Sequence, residues 1–191
     1  MRASLCLAMW LRRWTSAHRV LFVNEPFNMK NFTLSDALRE KLKNPNFVAD
    51  QLASGASAQK IAGFSDETMA LFYGAAHKLF DRQKYQEAAN AVLFLLSLNS
   101  FMYEYWLGYG MASQMLNAFE TAIDAYEVAA ILEVENPVSY FYLSKCLFAI
   151  HDRPNARQAI ELAIEYAGDH PQYQDLKAQA LAVERLLEHE G

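Results

Sequence analysis

The sequence is poor in the residues that mark several common protein classes. Its 191 residues include two cysteines, seven glycines and five prolines. Cys6 and Cys146 are too few for a disulfide framework, so we expect a reducing compartment. Scarce glycine and proline disfavour a turn-rich β-sandwich or barrel. The longest apolar runs, at 5–11 and 91–96, fall well below the roughly 18 residues of a membrane-spanning helix, so we expect a soluble chain without stable membrane insertion.

The composition of the chain indicates a packed core and an uneven charge. Apolar residues make up 53% and charged residues 20%, which disfavours extensive disorder. Residues 1–28 carry four arginines against one glutamate, a net charge of +3, whereas residues 29–191 carry 13 basic and 21 acidic groups, a net charge of −8. Phosphate neutralisation supplies most of the affinity for nucleic acids, so this acidic body predicts no nucleic-acid partner.

Residues 1–28 also differ from the rest in their pattern. The apolar run at 5–11 is interrupted at once by Arg12 and Arg13, and no small-residue cleavage site follows, so a signal peptide is not predicted. Two interpretations stay open. The segment is either an amphipathic surface helix or targeting segment, or a frayed extension upstream of a translation start at Met29. In both cases we treat it as an N-terminal extension outside the domain.

Residues 29–68 are predicted to form short N-terminal helices. A first helix, capped by Thr33 or Ser35, should end near Pro45, because a residue before proline is disfavoured in a helix. A second helix should end at Ser54. Ser65 is a good N-cap for the next helix, since its side chain can accept a hydrogen bond from a free backbone N–H of the first turn.

A 34-residue repeat dominates the remainder. Residues of one kind recur at this spacing: large at Phe72, Trp106 and Tyr140, small at Ala76, Gly110 and Ser144, alanine at Ala88, Ala122 and Ala156, and large again at Val92, Tyr126 and Ile160. The small residues let paired helices approach closely, and the large ones fill the space between pairs. A helix–turn–helix period of 34 is that of the tetratricopeptide repeat. The sequence therefore predicts an all-α solenoid of three repeats, at 69–102, 103–136 and 137–170, with a C-terminal capping helix at 171–191.

No motif for catalysis, a cofactor or a metal stands out. None of the five histidines lies in a zinc-protease arrangement, and Cys146 is expected to be a buried hydrophobe rather than a nucleophile. Gly108 and Gly110 make only part of a dinucleotide fingerprint, and no strand is predicted before them. We therefore expect no enzymatic activity, no cofactor and no metal.

The candidate binding site is instead the concave groove of the repeat array. In the tetratricopeptide pattern the first helix of each repeat lines this groove at positions 2, 5, 9 and 12. Position 2 holds Ala70, Glu104 and Val138, and the candidate residues come from the other three positions. The candidate peptide-binding residues, here called the inner row, are Tyr73, His77 and Phe80 from the first repeat, Leu107, Met111 and Gln114 from the second, and Phe141, Lys145 and Phe148 from the third. The alternative for each is packing against a terminal helix. We expect His77 to be a polar tip in the groove wall rather than a metal ligand.

Further motifs lie before the repeats and within them. They are Leu-Ala-Ser-Gly-Ala-Ser at 52–57, Phe-Ser-Asp-Glu at 64–67, Tyr-Gln-Glu-Ala-Ala at 85–89, Ala-Ile-Asp-Ala-Tyr at 122–126, Leu107-Gly108 and Cys146-Leu147, with Ile61, Tyr73 and Phe80. From about residue 47 to residue 187, this combination resembles the class II chaperones of bacterial type III secretion systems, which are tetratricopeptide proteins that hold translocator subunits.

The resemblance implies a cytoplasmic chaperone, often a homodimer, that shields hydrophobic translocator proteins by holding an extended segment in its groove. It implies aromatic pockets at Tyr73 and Phe80, whereas His77 stands where the family usually has tyrosine. By the same resemblance, the helices between residues 33 and 52 should support the homodimer. Two other functions remain open for a repeat array: a general scaffold or adaptor in a larger assembly, and a regulatory subunit of an enzyme.

Overall fold

The computed structural model describes residues 36–189, which form ten α-helices, one turn of 3₁₀ helix and no strand. The helices are α1 (Asp36–Leu42), α2 (Pro45–Ala53), α3 (Ala58–Ile61), α4 (Asp66–Asp81), α5 (Tyr85–Leu98), α6 (Tyr103–Met115), α7 (Phe119–Leu132), α8 (Pro137–Ala149), α9 (Arg153–Ala167) and α10 (Gln174–His189). The predicted all-α repeat fold is confirmed. The N-terminal extension at 1–28 and the expected caps Thr33 and Ser35 lie outside the described residues.

The helices before the repeats follow the capping residues of the sequence. Asn44 caps α2 by accepting a hydrogen bond from the backbone N–H of Asn46, and Pro45 occupies the first turn, where its missing N–H costs nothing. The helix ends before Ser54, as predicted. The single turn of α3, which Ser57 caps, was not predicted, because four residues are too short to show a helical period.

Three helix pairs, α4–α5, α6–α7 and α8–α9, make up the repeats, and each pair packs against the next. The small residues at the repeat positions are buried where the helices meet, as are Ala88, Ala122 and Ala156. The closest approach is at Gly110, where an added Cβ would lie 2.6 Å from Cε1 of the buried Tyr126 ring. Glycine at this position therefore lets α6 and α7 come together.

The 34-residue period also appears in the backbone, at positions that the side chains did not indicate. Gln83, Asn117 and His151 follow the first helix of their repeats, and all have positive φ, between 59° and 65°. In the first repeat, the backbone N–H of Lys84 donates to the carbonyl of Leu79 at 2.9 Å, which closes the end of α4. The turn that reverses each pair is thus a left-handed helix end made without glycine.

The array ends in an amphipathic helix. Pro137 is the first residue of α8, as expected of proline in a first turn. Pro171 instead opens one 3₁₀ turn, and α10 begins three residues later. Leu176 and Ala180 of α10 are buried, and the helix packs on α9, which is the capping role predicted for this segment. Across residues 36–189, every helix is too short or too polar to span a bilayer.

Candidate functional site

The first repeat places Tyr73 inside the array rather than on an open wall. The Tyr73 side chain is 4% exposed, and its hydroxyl donates a 2.8 Å hydrogen bond to the backbone carbonyl of Glu104. The ring lies over Gly108, where an added Cβ would be 3.4 Å from the Tyr73 hydroxyl oxygen. The ring of Tyr105 lies 5.2 Å away between centroids. Tyr73 therefore links α4 of the first repeat to α6 of the second.

His77 lies one turn after Tyr73 on α4, and it is also buried. Its Nδ1 is 3.4 Å from Oδ2 of Asp81, and its ring meets the edge of Tyr73 at 6.5 Å. Burial lowers the pKa of His77, while the Asp81 carboxylate works in the opposite direction. Among residues 36–189, no group of three or more metal-binding side chains surrounds it.

Phe80 is half-buried near the end of α4. It packs, with Leu79 and Tyr109, against a cluster formed by Ala88, Ala89 and Ala112. Its ring also meets Tyr85 edge to face, with 5.2 Å between centroids. The expected aromatic pair of the first repeat is present, but Phe80 keeps more exposed surface than Tyr73.

The second repeat contributes two buried apolar side chains and one polar side chain. Leu107 and Met111 are 4% and 6% exposed. Gln114 is half-buried, and its Oε1 accepts a 2.9 Å hydrogen bond from the hydroxyl of Tyr126. The Tyr126 ring also lies against Gly110, where α6 and α7 meet. Tyr126 therefore joins these two helices and at the same time holds the Gln114 side chain in place.

The third repeat forms the more open end of the inner row. Phe141 is buried, and the Lys145 ammonium lies 5.3 Å from its ring centroid and 5.6 Å from that of Tyr142, which is cation–π geometry. Phe148 is 38% exposed. The accessible candidates of this repeat are therefore an aromatic ring and a cation.

Two tyrosines that sequence analysis did not select also join the repeats. Tyr105 packs on Tyr73, and burial, with the nearby charges of Glu104 and Asp66, raises the pKa of Tyr105 to about 12. Tyr103 lies 3.3 Å, between hydroxyl oxygens, from the buried Ser139 of the third repeat. Both occupy α6, where aromatic residues are so frequent that no helical period distinguishes them.

Cys146 is fully buried, as predicted, on α8. Burial raises the pKa of its thiol to about 12, although the neighbouring Lys145 charge lowers it. A thiolate is therefore suppressed at neutral pH, which agrees with the interpretation of Cys146 as a small hydrophobe.

Comparison with known proteins identifies relatives of the same architecture. The family described as tetratricopeptide repeat matches residues 103–136. The low calcium response locus protein H of Yersinia pseudotuberculosis is 24% identical over 145 residues, which cover 73% of this chain and 86% of that protein. The chaperone protein SicA of Salmonella dublin is 26% identical over 134 residues, which cover 70% and 79%.

Solved structures extend the likeness to the fold. A type III secretion complex from Aeromonas hydrophila contains a chain with a TM-score of 0.72 and 22% identity, covering 77% of this chain and 97% of that one. The translocator chaperone SycD of Yersinia enterocolitica, in complex with a peptide of the translocator YopD, gives 0.64 and 21%, covering 66% and 96%. SycD in an alternative dimer gives 0.64 and 22%, with the same coverage. The chain therefore contains a tetratricopeptide repeat, is similar in sequence to the low calcium response locus protein H and to the chaperone SicA, and shares the fold of the translocator chaperone SycD.

Proposed function

We propose that this chain is a cytoplasmic chaperone of a type III secretion system, which binds a hydrophobic translocator protein through an extended segment held along the inner row. The observation that carries the proposal is the shared fold with SycD, a chaperone whose structure holds a peptide of a translocator. The similarity to the chaperone SicA supports it from sequence. Binding, rather than catalysis, is the proposed activity.

The size of the required binding energy favours an extended ligand. One buried aromatic ring removes about 150–250 Å² from water, which is worth at most about 4–6 kcal/mol at 25 cal/mol per Å². Association costs at least about 4 kcal/mol, and a micromolar complex needs about 8 kcal/mol net. A single pocket is insufficient, so the ligand must contact several repeats.

The burial pattern favours the third repeat as the place where a ligand first makes contact. Phe148 and Lys145 offer accessible surface, whereas Tyr73, Leu107 and Phe141 are buried in the chain as it stands. The accessible side chains therefore lie in the later turns of α8, whereas the early position of the row is buried in all three repeats, and binding there requires side chains to rearrange.

The proposal is tested by co-expressing the chain with the translocators of its own secretion system and separating the products by size-exclusion chromatography. We expect a translocator with membrane-inserting segments to stay in solution and to co-elute with this chain. The general scaffold hypothesis predicts a different result, a stoichiometric set of other soluble subunits and no effect on the translocator.

We further propose that α1 and α2 form a homodimer contact. α2 buries none of its side chains, and Leu52 is 55% exposed. SycD, which shares the fold, has been solved as a dimer. We expect sedimentation at tens of micromolar to give a dimer, and Leu52→Glu to shift it towards monomer. The control Leu186→Glu changes another exposed leucine, on α10, and should leave the dimer intact. A strict monomer of the unaltered chain would refute this contact.

A further inference from the structure

A second surface lies on the other side of α8. There, α7, α8 and α9 enclose a cleft of about 490 Å³, within the range of protein binding pockets. Leu143 and Leu147 of α8, with Ile150 directly after its end, form its apolar floor. We call it the outer cleft. None of the nine inner-row residues lines it.

The helical period separates the outer cleft from the inner row. With 3.6 residues per turn, side chains two positions apart point to nearly opposite sides of a helix. Phe148 belongs to the inner row, and Ile150, which ends α8, lines the outer cleft. A ligand on one face therefore leaves the other accessible.

The rim of the outer cleft is acidic. Glu120, Asp124 and Glu127 stand on α7, exposed and spaced by four and three residues, so that they form one stripe along the helix. Asp152 adds a fourth carboxylate, although it also caps α9 by accepting from the backbone N–H of Asn155. Among the residues that the structure describes, no lysine or arginine lines the cleft.

The negative charge of the rim disfavours a second copy of this chain as the ligand of the outer cleft and favours a basic partner. Within residues 36–189, the three carboxylates on α7 form no ion pair. Residues 29–191 carry a net charge of −8, so the body of a second copy would be repelled at this surface. A basic partner would form three to four favourable charge contacts with the carboxylates of the rim. It would not have to displace a cation of this chain from the three carboxylates on α7.

The dimensions favour a helix that inserts one face. The lining positions on α8 run from Tyr140 to Ile150, about 15 Å at 1.5 Å per residue, which matches about three turns of a second helix. Helix-in-groove recognition uses apolar anchors at positions i, i+3, i+4 and i+7.

We infer that the outer cleft is a docking site for a basic amphipathic helix of a second protein partner, with apolar residues on one face and lysine or arginine on both flanks. This site is additional to the proposed translocator groove. Its existence does not depend on that function, and it would let the chain hold two partners at once.

The test uses the full chain and a fluorescent synthetic peptide of about four helical turns, with leucines on one face and lysines beside them. A matched peptide has glutamate in place of lysine. We expect fluorescence anisotropy to show binding of the basic peptide alone, weakened by salt of about 0.5 M, which screens exposed charges.

Charge-reversal variants locate the binding. Asp124→Lys combined with Glu127→Lys should lower affinity for the basic peptide by about tenfold or more. Asp175→Lys, an exposed change on α10, which contributes no residue to the cleft, should change it by less than about twofold. Circular dichroism checks that the variants fold. Equal binding of the two peptides, no binding of the basic peptide, or an unchanged affinity in the folded double variant would overturn the inference.

A second readout separates this inference from the proposed function. The double variant should still keep a translocator in solution, because the inner row is unaltered. In the unaltered chain, binding of the basic peptide without binding of any translocator would contradict the proposed function alone.

Discussion

The two ends of the inner row differ in what their side chains do for the fold. At the first repeat, Tyr73 is 4% exposed and bonded across the repeat boundary to Glu104. At the third repeat, Phe141, the counterpart of Tyr73, is likewise 4% exposed, but Phe148 at the end of the helix is 38% exposed. Tyr73 and Phe148 both occupy positions that the repeat pattern assigns to the groove, yet one is built into the array and the other faces solvent. A repeat position therefore predicts the side of a helix but not whether its side chain is available to a ligand.

Removal of the Tyr73 ring should give the largest change in stability. We expect Tyr73→Ala to lower the free energy of unfolding by about 3–5 kcal/mol, as for other buried aromatic truncations. A ring that only lined an open groove would have a smaller effect on stability. Chemical denaturation measures the change.

Two control variants show which part of the Tyr73 side chain causes the loss of stability and whether an exposed ring of the row has the same effect. Tyr73→Phe keeps the ring and loses the bond to Glu104, so it should cost about 0.5–1.5 kcal/mol. Phe148→Ala at the other end should change stability by no more than about 0.5 kcal/mol. Equal losses from Tyr73→Ala and Phe148→Ala would show that the two ends do not differ.

The close contact between α6 and α7, which supports Gln114 of the inner row, is tested at Gly110. Alanine there gains up to about 1 kcal/mol of helix propensity, but its Cβ would lie 2.6 Å from the fully buried Tyr126 ring, which holds Gln114. We expect Gly110→Ala to destabilise the fold by about 1–3 kcal/mol net. The matched control is Gly74→Ala on α4, where an added Cβ meets nothing within 4 Å. It should be neutral or stabilising by up to about 1 kcal/mol, and a similar loss in both variants would contradict the close contact.

We expect His77 to give the first repeat a pH-dependent contribution to stability that is smaller than the preceding effects. Burial lowers its pKa in the folded state below 6.5, so the unfolded chain takes up a proton first as the pH falls. The contribution of His77 to stability is therefore present above pH 6.5 and is lost as the pH falls below it, by no more than about 1.4 kcal/mol per pH unit.

Urea denaturation between pH 7.5 and pH 5, in the unaltered chain and in His77→Gln, measures this contribution. The variant should show a weaker loss of stability at low pH. A steeper loss in the variant would mean that the Asp81 contact outweighs burial.

The sequence predicted the repeat fold because packing imposes a period on residue size. The positions of Ala88, Ala122 and Gly110 have room for little or no side chain, and a 34-residue spacing of small residues is visible without a structure. The left-handed turns at Gln83 and His151 were not visible, because neither is glycine.

The site was predicted less completely than the fold. The Tyr73 hydroxyl bonds to the backbone carbonyl of Glu104. Every residue type has such a carbonyl, so the sequence at position 104 does not indicate this bond. The outer cleft was missed for a similar reason: its apolar floor and acidic rim come from three different helices, and each helix alone has an ordinary amphipathic pattern.

The most direct test of the central claim compares two neighbouring side chains at the C-terminal end of α8. Phe148 and Ile150 are 38% and 36% exposed, and they lie on opposite sides of the helix. Affinity for the bound segment of the co-purified translocator is measured by isothermal titration calorimetry in Phe148→Ala and Ile150→Ala. The account predicts a loss of about tenfold for Phe148→Ala and less than about twofold for Ile150→Ala. An unchanged affinity in Phe148→Ala, or a larger loss in Ile150→Ala, would contradict binding along the inner row.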